Sequence, residues 1–126
     1  MTFASVQGKE GMKRFDHHAI AVCQGSELLF SAFEDQGAMW PGEGPRAVRR
    51  AVAFDESFVA VPMVHVAIAM WDIDGKANQR ADICAENITR SGFDIVFQTW
   101  GDTRVARIRA EWLAIGAVMH EGDFAL

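Results

Sequence analysis

The sequence lacks the features that mark disulfide-rich secreted proteins, membrane proteins and helical proteins. Only two cysteines occur, Cys23 and Cys84, and each lies in an apolar strand-like run, so buried free thiols are expected. No stretch approaches the roughly 18 continuous apolar residues of a membrane span. No capped apolar pattern with a period of 3.6 residues extends over about ten residues, so little helix is expected.

These absences also bear on where the chain is made and how it is organised. No apolar core of signal-peptide length follows the basic residues near the start, so the chain is expected to be a soluble, unprocessed product of cytoplasmic synthesis. Export by another route, or attachment to a larger particle, stays open. A length of 126 residues suits one domain. We expect an arm over residues 1–16, a folded domain over 17–117 and a tail over 118–126.

Lysine is scarce as well. Nine of the twelve basic residues are arginine, and the net charge is -5. Nucleic acid and anionic membranes repel a chain of net negative charge, so neither is expected as a partner. Arginine favours fixed, bidentate contacts with carboxylates or polar ligands. Its abundance therefore indicates interfaces or a binding site.

Short strand patterns separated by turns fill the sequence instead. The clearest pattern runs from Gly92 to Gly116, where apolar and polar residues alternate on both sides of Gly101 and Asp102 and predict a two-stranded hairpin. A turn at Gly25-Ser26 is predicted to separate two earlier strands, and further strands are predicted over 48–54, 63–71 and 79–89. The 63–71 strand is apolar on both faces, which predicts a central strand or one that faces a second copy of the chain. Six to seven such strands predict an antiparallel β-sandwich or barrel.

The hairpin tip is a candidate binding site. It brings together Trp100, Asp102 and Arg104, and an aromatic face beside a carboxylate and a guanidinium suits a polar ring ligand such as a sugar. A tryptophan at a turn is more often a lid on the core, and that alternative stays open. The earlier loop over 34–45 is rich in glycine and proline, so it is expected to be irregular and to carry binding groups.

A series of motifs between Phe54 and Ile115 carries a family resemblance. In order, they are an aromatic-x-x-Pro entry into a strand, the Asn78 to Arg80 segment, an Asn-Ile-Thr-x-x-Gly-Phe turn, a Thr-Trp-Gly-Asp-Thr segment and a closing Trp-Leu-Ala-Ile. This succession resembles the H-type lectin domain, the family of the snail agglutinin and of the C-terminal discoidin domains. The resemblance implies a six-stranded antiparallel sandwich, trimers sometimes paired into hexamers, and binding of galactose or N-acetylgalactosamine without catalysis.

The resemblance also implies a carbohydrate-binding site. Arg80 matches the arginine that hydrogen-bonds sugar hydroxyls, and Trp100 matches the tryptophan that contacts the apolar sugar face. Glu43 corresponds best to the loop aspartate of the family. Gly101 stands where the snail agglutinin has a histidine that contacts the sugar, and Ala106 where it has a tyrosine. The expected site comprises Glu43, Arg80, Trp100, Gly101, Asp102 and Arg104. Asp102 and Arg104 would replace the two missing contacts as acceptor and donor. Alternatively, Asp102 is an ordinary turn residue and Arg104 a solvated or interface arginine.

Other features of the sequence predict neither catalysis nor a cofactor. Asp72-x-Asp74-Gly75 lacks the later ligands of a calcium loop and is interpreted as a strand-ending turn. The histidines are too isolated for a zinc site, and His65 is expected in the core or at an interface between copies of the chain. No carboxylate pair indicates a glycosidase. The expected partners are glycans on cell surfaces or polysaccharides and further copies of the chain. The alternative function is a trimerisation or attachment module of a bacterial or phage surface assembly whose sugar site has decayed.

Overall fold

Two small β-sheets make up the fold. The computed structural model describes residues 11–31, 37–40 and 42–120. The strands within these ranges are β1 (Ala19–Ser31), β2 (Arg46–Ala53), β3 (Met63–Ile73), β4 (Asp82–Glu86), β5 (Gly92–Thr99) and β6 (Val105–Val118). They form two three-stranded sheets, with strand orders β1-β6-β3 and β2-β5-β4, and every strand pair is antiparallel. The predicted antiparallel β-sandwich is confirmed.

Several predictions fall partly outside these ranges. Most of the predicted arm, residues 1–10, and most of the predicted tail, residues 121–126, are not among the described residues, and the same holds for positions 32–36 and 41 of the earlier loop. Over the ranges given above, no helix is long and apolar enough to cross a membrane.

The core lies between the inner faces of the two sheets. Phe93, Ile95 and Phe97 of β5 are at most 3% exposed, and Ile108 and Ala110 of β6 are fully buried. An aromatic group closes one end of this core, with ring centroids 5.1 Å apart for Phe54 and Phe58, 5.8 Å for Phe54 and Phe93, and 5.4 Å for Phe93 and Trp112. The alternation predicted for the two strands therefore gives their inner faces correctly.

The predicted hairpin between these strands is wrong. Strand β5 pairs with β2 and β4, whereas β6 pairs with β1 and β3, so the two strands lie in opposite sheets. Each strand is the centre of its own sheet and directs its apolar side chains at the other sheet. The Gly101-Asp102 turn therefore carries the chain across the end of the core. Alternation alone does not distinguish strands that pair from strands that pack face to face.

The predicted turn at Gly25-Ser26 is also wrong, because both residues lie inside the continuous strand β1. Gly25 pairs with Trp112 of β6. A Cβ atom at position 25 would stand 2.6 Å from the indole ring, so glycine is required here by the close approach of that ring. The glycine makes room for a core side chain and does not turn the chain.

Among the described strands, β3 lies at the edge of its sheet, so the first of the two predicted alternatives, a central strand, is wrong. Its apolar outer side belongs to a surface that spans the sheet. In the register, Val22 of β1, Ile115 of β6 and Met63 of β3 lie in one row. We call this surface the outer apolar face, and its residues are Ile20 (53% exposed), Val22 (60%), Met63 (52%), Leu113 and Ile115. His65 pairs with Leu113 in the same register and is exposed, so it is not a core histidine.

The cysteines occupy separate strands. Cys23 is a half-buried free thiol of β1, and burial, followed by the charge of Asp55, raises its pKa. Cys84 is half-buried on β4, with its Sγ atom 3.7 Å from a carboxylate oxygen of Glu86.

Candidate functional site

Three segments meet at the end of the sandwich where β5 gives way to β6. They are the loop over 42–46, the segment over 78–80 and the turn over 100–104. One arginine side chain holds the first segment to the third. The guanidinium of Arg46 donates to the carbonyl oxygens of Gly44 (2.9 Å), Met39 (3.1 Å), Thr103 (2.7 Å) and Gly101 (3.3 Å). The backbone N–H of Gly44 donates to the same Gly101 oxygen at 3.0 Å.

Two buried threonines hold the second segment. The Oγ1 atom of Thr103 donates to the carbonyl of Asn78 at 2.5 Å and accepts the backbone N–H of Arg80 at 3.1 Å. On the other side of the turn, Oγ1 of Thr99 donates to the carbonyl of Arg80 at 2.6 Å. Both threonines are at most 1% exposed, and their hydroxyls satisfy backbone groups. The backbone that carries Arg80 is therefore fixed from both sides of the turn.

An ion pair links Arg80 with the turn. Nη1 of Arg80 donates to a carboxylate oxygen of Asp102, and the same Nη1 lies 3.4 Å from Oγ1 of Thr103. This hydrogen bond from Arg80 is the largest cause of the lowered pKa of Asp102. The Asp102 side chain is 59% exposed and that of Arg80 is 31% exposed, so solvent and a ligand can reach the pair.

Trp100 lies at the surface of this region. It follows the exposed Gln98 and the buried Thr99, so it continues the outward-facing row of β5 and is 44% exposed. It is not part of the buried core cluster, which argues against the interpretation of Trp100 as a lid. The next residue, Gly101, has φ +68°, and a Cβ atom there would meet Nη1 of Arg80 at 2.9 Å. The turn thus places Trp100, Gly101, Asp102 and Arg80 together.

The remaining predicted site residues lie in different surroundings. Glu43 is exposed in the loop that Arg46 and Gly44 fasten to the turn. Arg104 donates from Nε to the carbonyl of Trp40 at 3.0 Å, and its guanidinium lies 5.0 Å from the centroid of the Trp40 ring. Its described contacts therefore support the loop. The roles of Glu43 and Arg104 in ligand binding stay predictions.

Ala106 was expected to replace a residue that contacts the sugar. In the structure it is fully buried. Its small side chain belongs to the packing of the interior. Sequence reasoning missed Arg46, Thr99 and Thr103 as the groups that fix the site. The sequence places Arg46 directly after the glycine- and proline-rich loop, but nothing in that position identifies the carbonyl oxygens that it binds.

The aspartates at the end of β3 and the other acidic, histidine and cysteine side chains can be compared with the needs of a metal site. Over residues 11–31, 37–40 and 42–120, no group of three or more His, Cys, Asp or Glu side chains is arranged to hold a metal ion. Asp74 follows the last residue of β3, and its Oδ1 accepts the backbone N–H of Lys76 at 2.9 Å. This geometry confirms the strand-ending turn.

Comparisons with known proteins agree with the fold and the motifs. The H-type lectin domain model matches residues 49–115. The chain is 56% identical over 108 residues to a protein described as ATP synthase subunits region ORF 7 of Fuscovulum blasticum, which covers 86% of this chain and 94% of that protein. It is 35% identical over 75 residues to discoidin-2 of Dictyostelium discoideum, which covers 59% of this chain and 29% of the relative.

A solved structure also matches the fold of this chain. The structure of recombinant discoidin II of Dictyostelium discoideum matches with a TM-score of 0.70 and 26% identity, covering 85% of this chain and 40% of that chain. The chain therefore spans less than half the length of the discoidins that it matches, while it matches nearly the whole of the Fuscovulum protein.

Proposed function

Because this chain belongs to the H-type lectin domain family, we propose that it is a non-catalytic, oligomeric lectin for galactose or N-acetylgalactosamine on cell-surface glycans or polysaccharides. The observation that carries the proposal is the exposed Trp100 ring, held on a turn that abuts the guanidinium of Arg80. An aromatic face accepts the apolar C–H face of a pyranose, and a guanidinium donates to neighbouring hydroxyls.

The Arg80–Asp102 pair favours a neutral sugar. A hydroxyl both donates and accepts hydrogen bonds, so one sugar hydroxyl can accept from Arg80 while its neighbour donates to Asp102. The positive charge of Arg80 is already balanced by Asp102. An anionic ligand would therefore gain little from that arginine, because it would compete with the Asp102 carboxylate for the same charge.

The electrostatics of the same pair support binding without catalysis. Hydrolysis of a glycosidic bond needs a carboxylic acid with a raised pKa, which donates a proton to the leaving oxygen. The hydrogen bond from Arg80 shifts the pKa of Asp102 in the opposite direction. Asp102 is therefore ionised at neutral pH and suited to accept hydrogen bonds from hydroxyls.

The outer apolar face supports an oligomer, which we propose to be a homotrimer, in keeping with the family, with paired trimers giving a hexamer. Exposed Ile20 and Val22 of β1 and Met63 of β3 flank Ile115 of β6, so the surface is contiguous across three strands, and such patches mark protein interfaces. Several shallow sites on one assembly would act together on a dense glycan surface. Avidity would then exceed the affinity of one site by roughly 10² to 10⁴.

A structural trimerisation or attachment module is the second candidate. It is favoured by the engagement of Arg80 by Asp102 and by the lack of a side chain at Gly101. Both features reduce the number of contacts available to a sugar. The outer apolar face fits this function as well, so the two candidates differ only in whether the site binds glycan.

A glycan array with the purified protein, alongside Arg80→Ala and Trp100→Ala, tests the proposal. We expect binding to galactose-type glycans that is lost in both variants while the oligomer persists in solution. Arg90→Ala is the matched control, because Arg90 is an exposed arginine in the turn before β5. Its binding should equal that of the unchanged protein. No binding to any glycan at high valency would overturn the lectin and favour the structural module.

A further inference from the structure

An open trough runs along the outer face of the β2-β5-β4 sheet beside Trp100. It has a volume of about 460 Å³ and is lined by Pro45, Arg46, Ala47, Gln98, Thr99 and Trp100. The trough does not include Arg80 or Asp102. Trp100 is thus shared by two neighbouring regions of the surface.

The strand register places these regions on opposite sides of the tryptophan. Gln98 pairs with Ala47 of β2 on one side and with Asp82 of β4 on the other. Continued by two residues, the same antiparallel register brings Pro45 to one side of Trp100 and Arg80 to the other. The hydrogen bond from Thr99 to the Arg80 carbonyl agrees with that continuation. The polar Arg80–Asp102 pair and the trough therefore flank one aromatic ring.

On this basis, and resting on the proposed lectin function, we propose that the trough is a second sugar subsite and that the ligand is an oligosaccharide. A terminal sugar binds on the Arg80 side of Trp100. The next pyranose ring of the chain lies in the trough, over Ala47 and beside Pro45 and Trp100.

The lining of the trough suits a neutral pyranose ring. Ala47 and Pro45 offer small apolar surfaces for C–H groups, and the exposed Gln98 amide both donates to and accepts from hydroxyls. Among the described residues that line the trough, only Arg46 is charged, and its guanidinium donates to four backbone carbonyl oxygens. Its donors are thus engaged by the backbone, so the described lining favours a neutral sugar over a sulfated or acidic one. The trough is open, as binding within a longer glycan chain requires.

Titration calorimetry with defined saccharides tests this assignment. The monosaccharide probes are methyl galactoside and N-acetylgalactosamine. The disaccharide probes carry the same sugars linked 1→3, 1→4 or 1→6 to galactose. For the unchanged protein, we expect at least one disaccharide to bind about tenfold more tightly than its terminal sugar alone, a gain of about 1.4 kcal/mol.

Two variants test whether the gain in affinity for the disaccharide arises in the trough. Ala47→Ile fills the trough and Gln98→Ala removes its amide, and each should reduce the gain to less than about twofold while the affinity for the monosaccharide stays unchanged. Ala53→Ile is the matched control, because Ala53 is exposed on the same face of β2 at the far end of that strand. It should keep the full gain, and thermal melting verifies that each variant is folded.

The outcomes separate this inference from the proposed function. Equal affinities for every disaccharide and its terminal sugar would overturn the second subsite and leave the lectin intact. A gain that survives in both Ala47→Ile and Gln98→Ala would overturn its location in the trough. Failure to bind any saccharide would overturn both the subsite and the lectin.

Discussion

A Cβ atom on Gly101 would stand 2.9 Å from Nη1 of Arg80, closer than Cβ atoms come to other heavy atoms in folded proteins. The space that a side chain would need at position 101 is therefore occupied by the guanidinium. Here the arginine lies against a bare backbone and pairs with Asp102. The lack of a side chain at position 101 and the Arg80–Asp102 pair are thus two parts of one local arrangement.

Alanine substitutions at three glycines separate the conformational and steric parts of this arrangement. Gly44→Ala introduces a side chain at φ +73° into open space, so it should lower the free energy of unfolding by about 1 kcal/mol through backbone strain alone. Gly101→Ala combines similar strain at φ +68° with displacement of Arg80. Since the displaced guanidinium is the end of a flexible side chain in a partly exposed ion pair, we expect a total loss of about 1.5 to 2 kcal/mol and at least tenfold weaker glycan binding.

Gly75→Ala is the control for this comparison, since a Cβ atom there meets nothing within 4 Å and its φ is not positive. It should change stability by less than about 0.5 kcal/mol. Urea unfolding gives the free energy of unfolding of the three variants and so ranks them by stability. Equal losses for Gly44→Ala and Gly101→Ala would show that contact with Arg80 does not restrict position 101.

Arg46 gives the second prediction, because its guanidinium holds the loop over 42–46 to the turn. Lysine keeps the charge but cannot reach four carbonyl oxygens with a planar fork of donors. Arg46→Lys should therefore lower the free energy of unfolding by about 2 to 3 kcal/mol and raise amide exchange at Gly44 and Val105. Both amides donate within this region, to Gly101 and Met39. Arg90→Lys, at an exposed turn position, should leave both quantities unchanged.

The Arg80–Asp102 pair predicts a dependence on pH. The folded-state pKa of Asp102 is lowered, chiefly by the hydrogen bond from Arg80. The pair therefore contributes stability above the unfolded aspartate pKa of about 3.9, and that contribution is lost as the pH falls through the lower folded-state pKa. Arg80→Ala should raise the folded-state pKa of Asp102 towards its ordinary value, as measured by NMR titration of the side-chain carboxyl carbon.

Arg107→Ala is the control for the titration, since it removes a different ion pair, formed with Asp72 at 3.1 Å. It should leave the lowered folded-state pKa of Asp102 unchanged. If Asp102 titrates alike with and without Arg80, the ion pair does not form in solution and the preference for neutral sugars loses its basis.

Sequence reasoning reached the fold and part of the site for identifiable reasons. Alternation revealed which side chains of β5 and β6 face inward, because burial on one face imposes a period of two. The succession of motifs brought Arg80 and Trp100 together, although about twenty residues separate them. The fold places these two residues side by side, and in the sequence this proximity could be inferred only from the resemblance to known sequences.

Other features depend on tertiary contacts that leave little trace in the sequence. Gly25 has the local appearance of a turn, but its lack of a side chain is required by Trp112, nearly ninety residues away. The pairing partners of β5 and β6 depend on which sheet each strand enters, and both strands have the same alternation. Arg46 fastens the site through backbone carbonyls, which any residue can supply, so no pattern of side chains identifies its partners.

The outer apolar face gives the last prediction. Val22, Ile115 and Met63 lie in one register row across β1, β6 and β3, and Val22 is 60% exposed. Burying this row against other copies would stabilise the assembly by about 25 cal/mol for each Å² of apolar surface removed from water. A charge placed in the row would have to be buried unpaired, which is costly. Val22→Glu should therefore convert the proposed trimer into monomers while retaining the fold and the affinity of each site for a soluble sugar.

Light scattering gives the mass of each form, and binding to immobilised glycan gives the avidity. With the sites no longer linked, we expect avidity to fall by roughly 10² or more while calorimetric affinity for the free sugar stays the same. Ala51→Glu is the control, because it places the same charge at an exposed position on the other sheet and should leave the assembly intact. Since both proposed functions require assembly through this face, a monomeric unchanged protein would contradict the trimer in each of them.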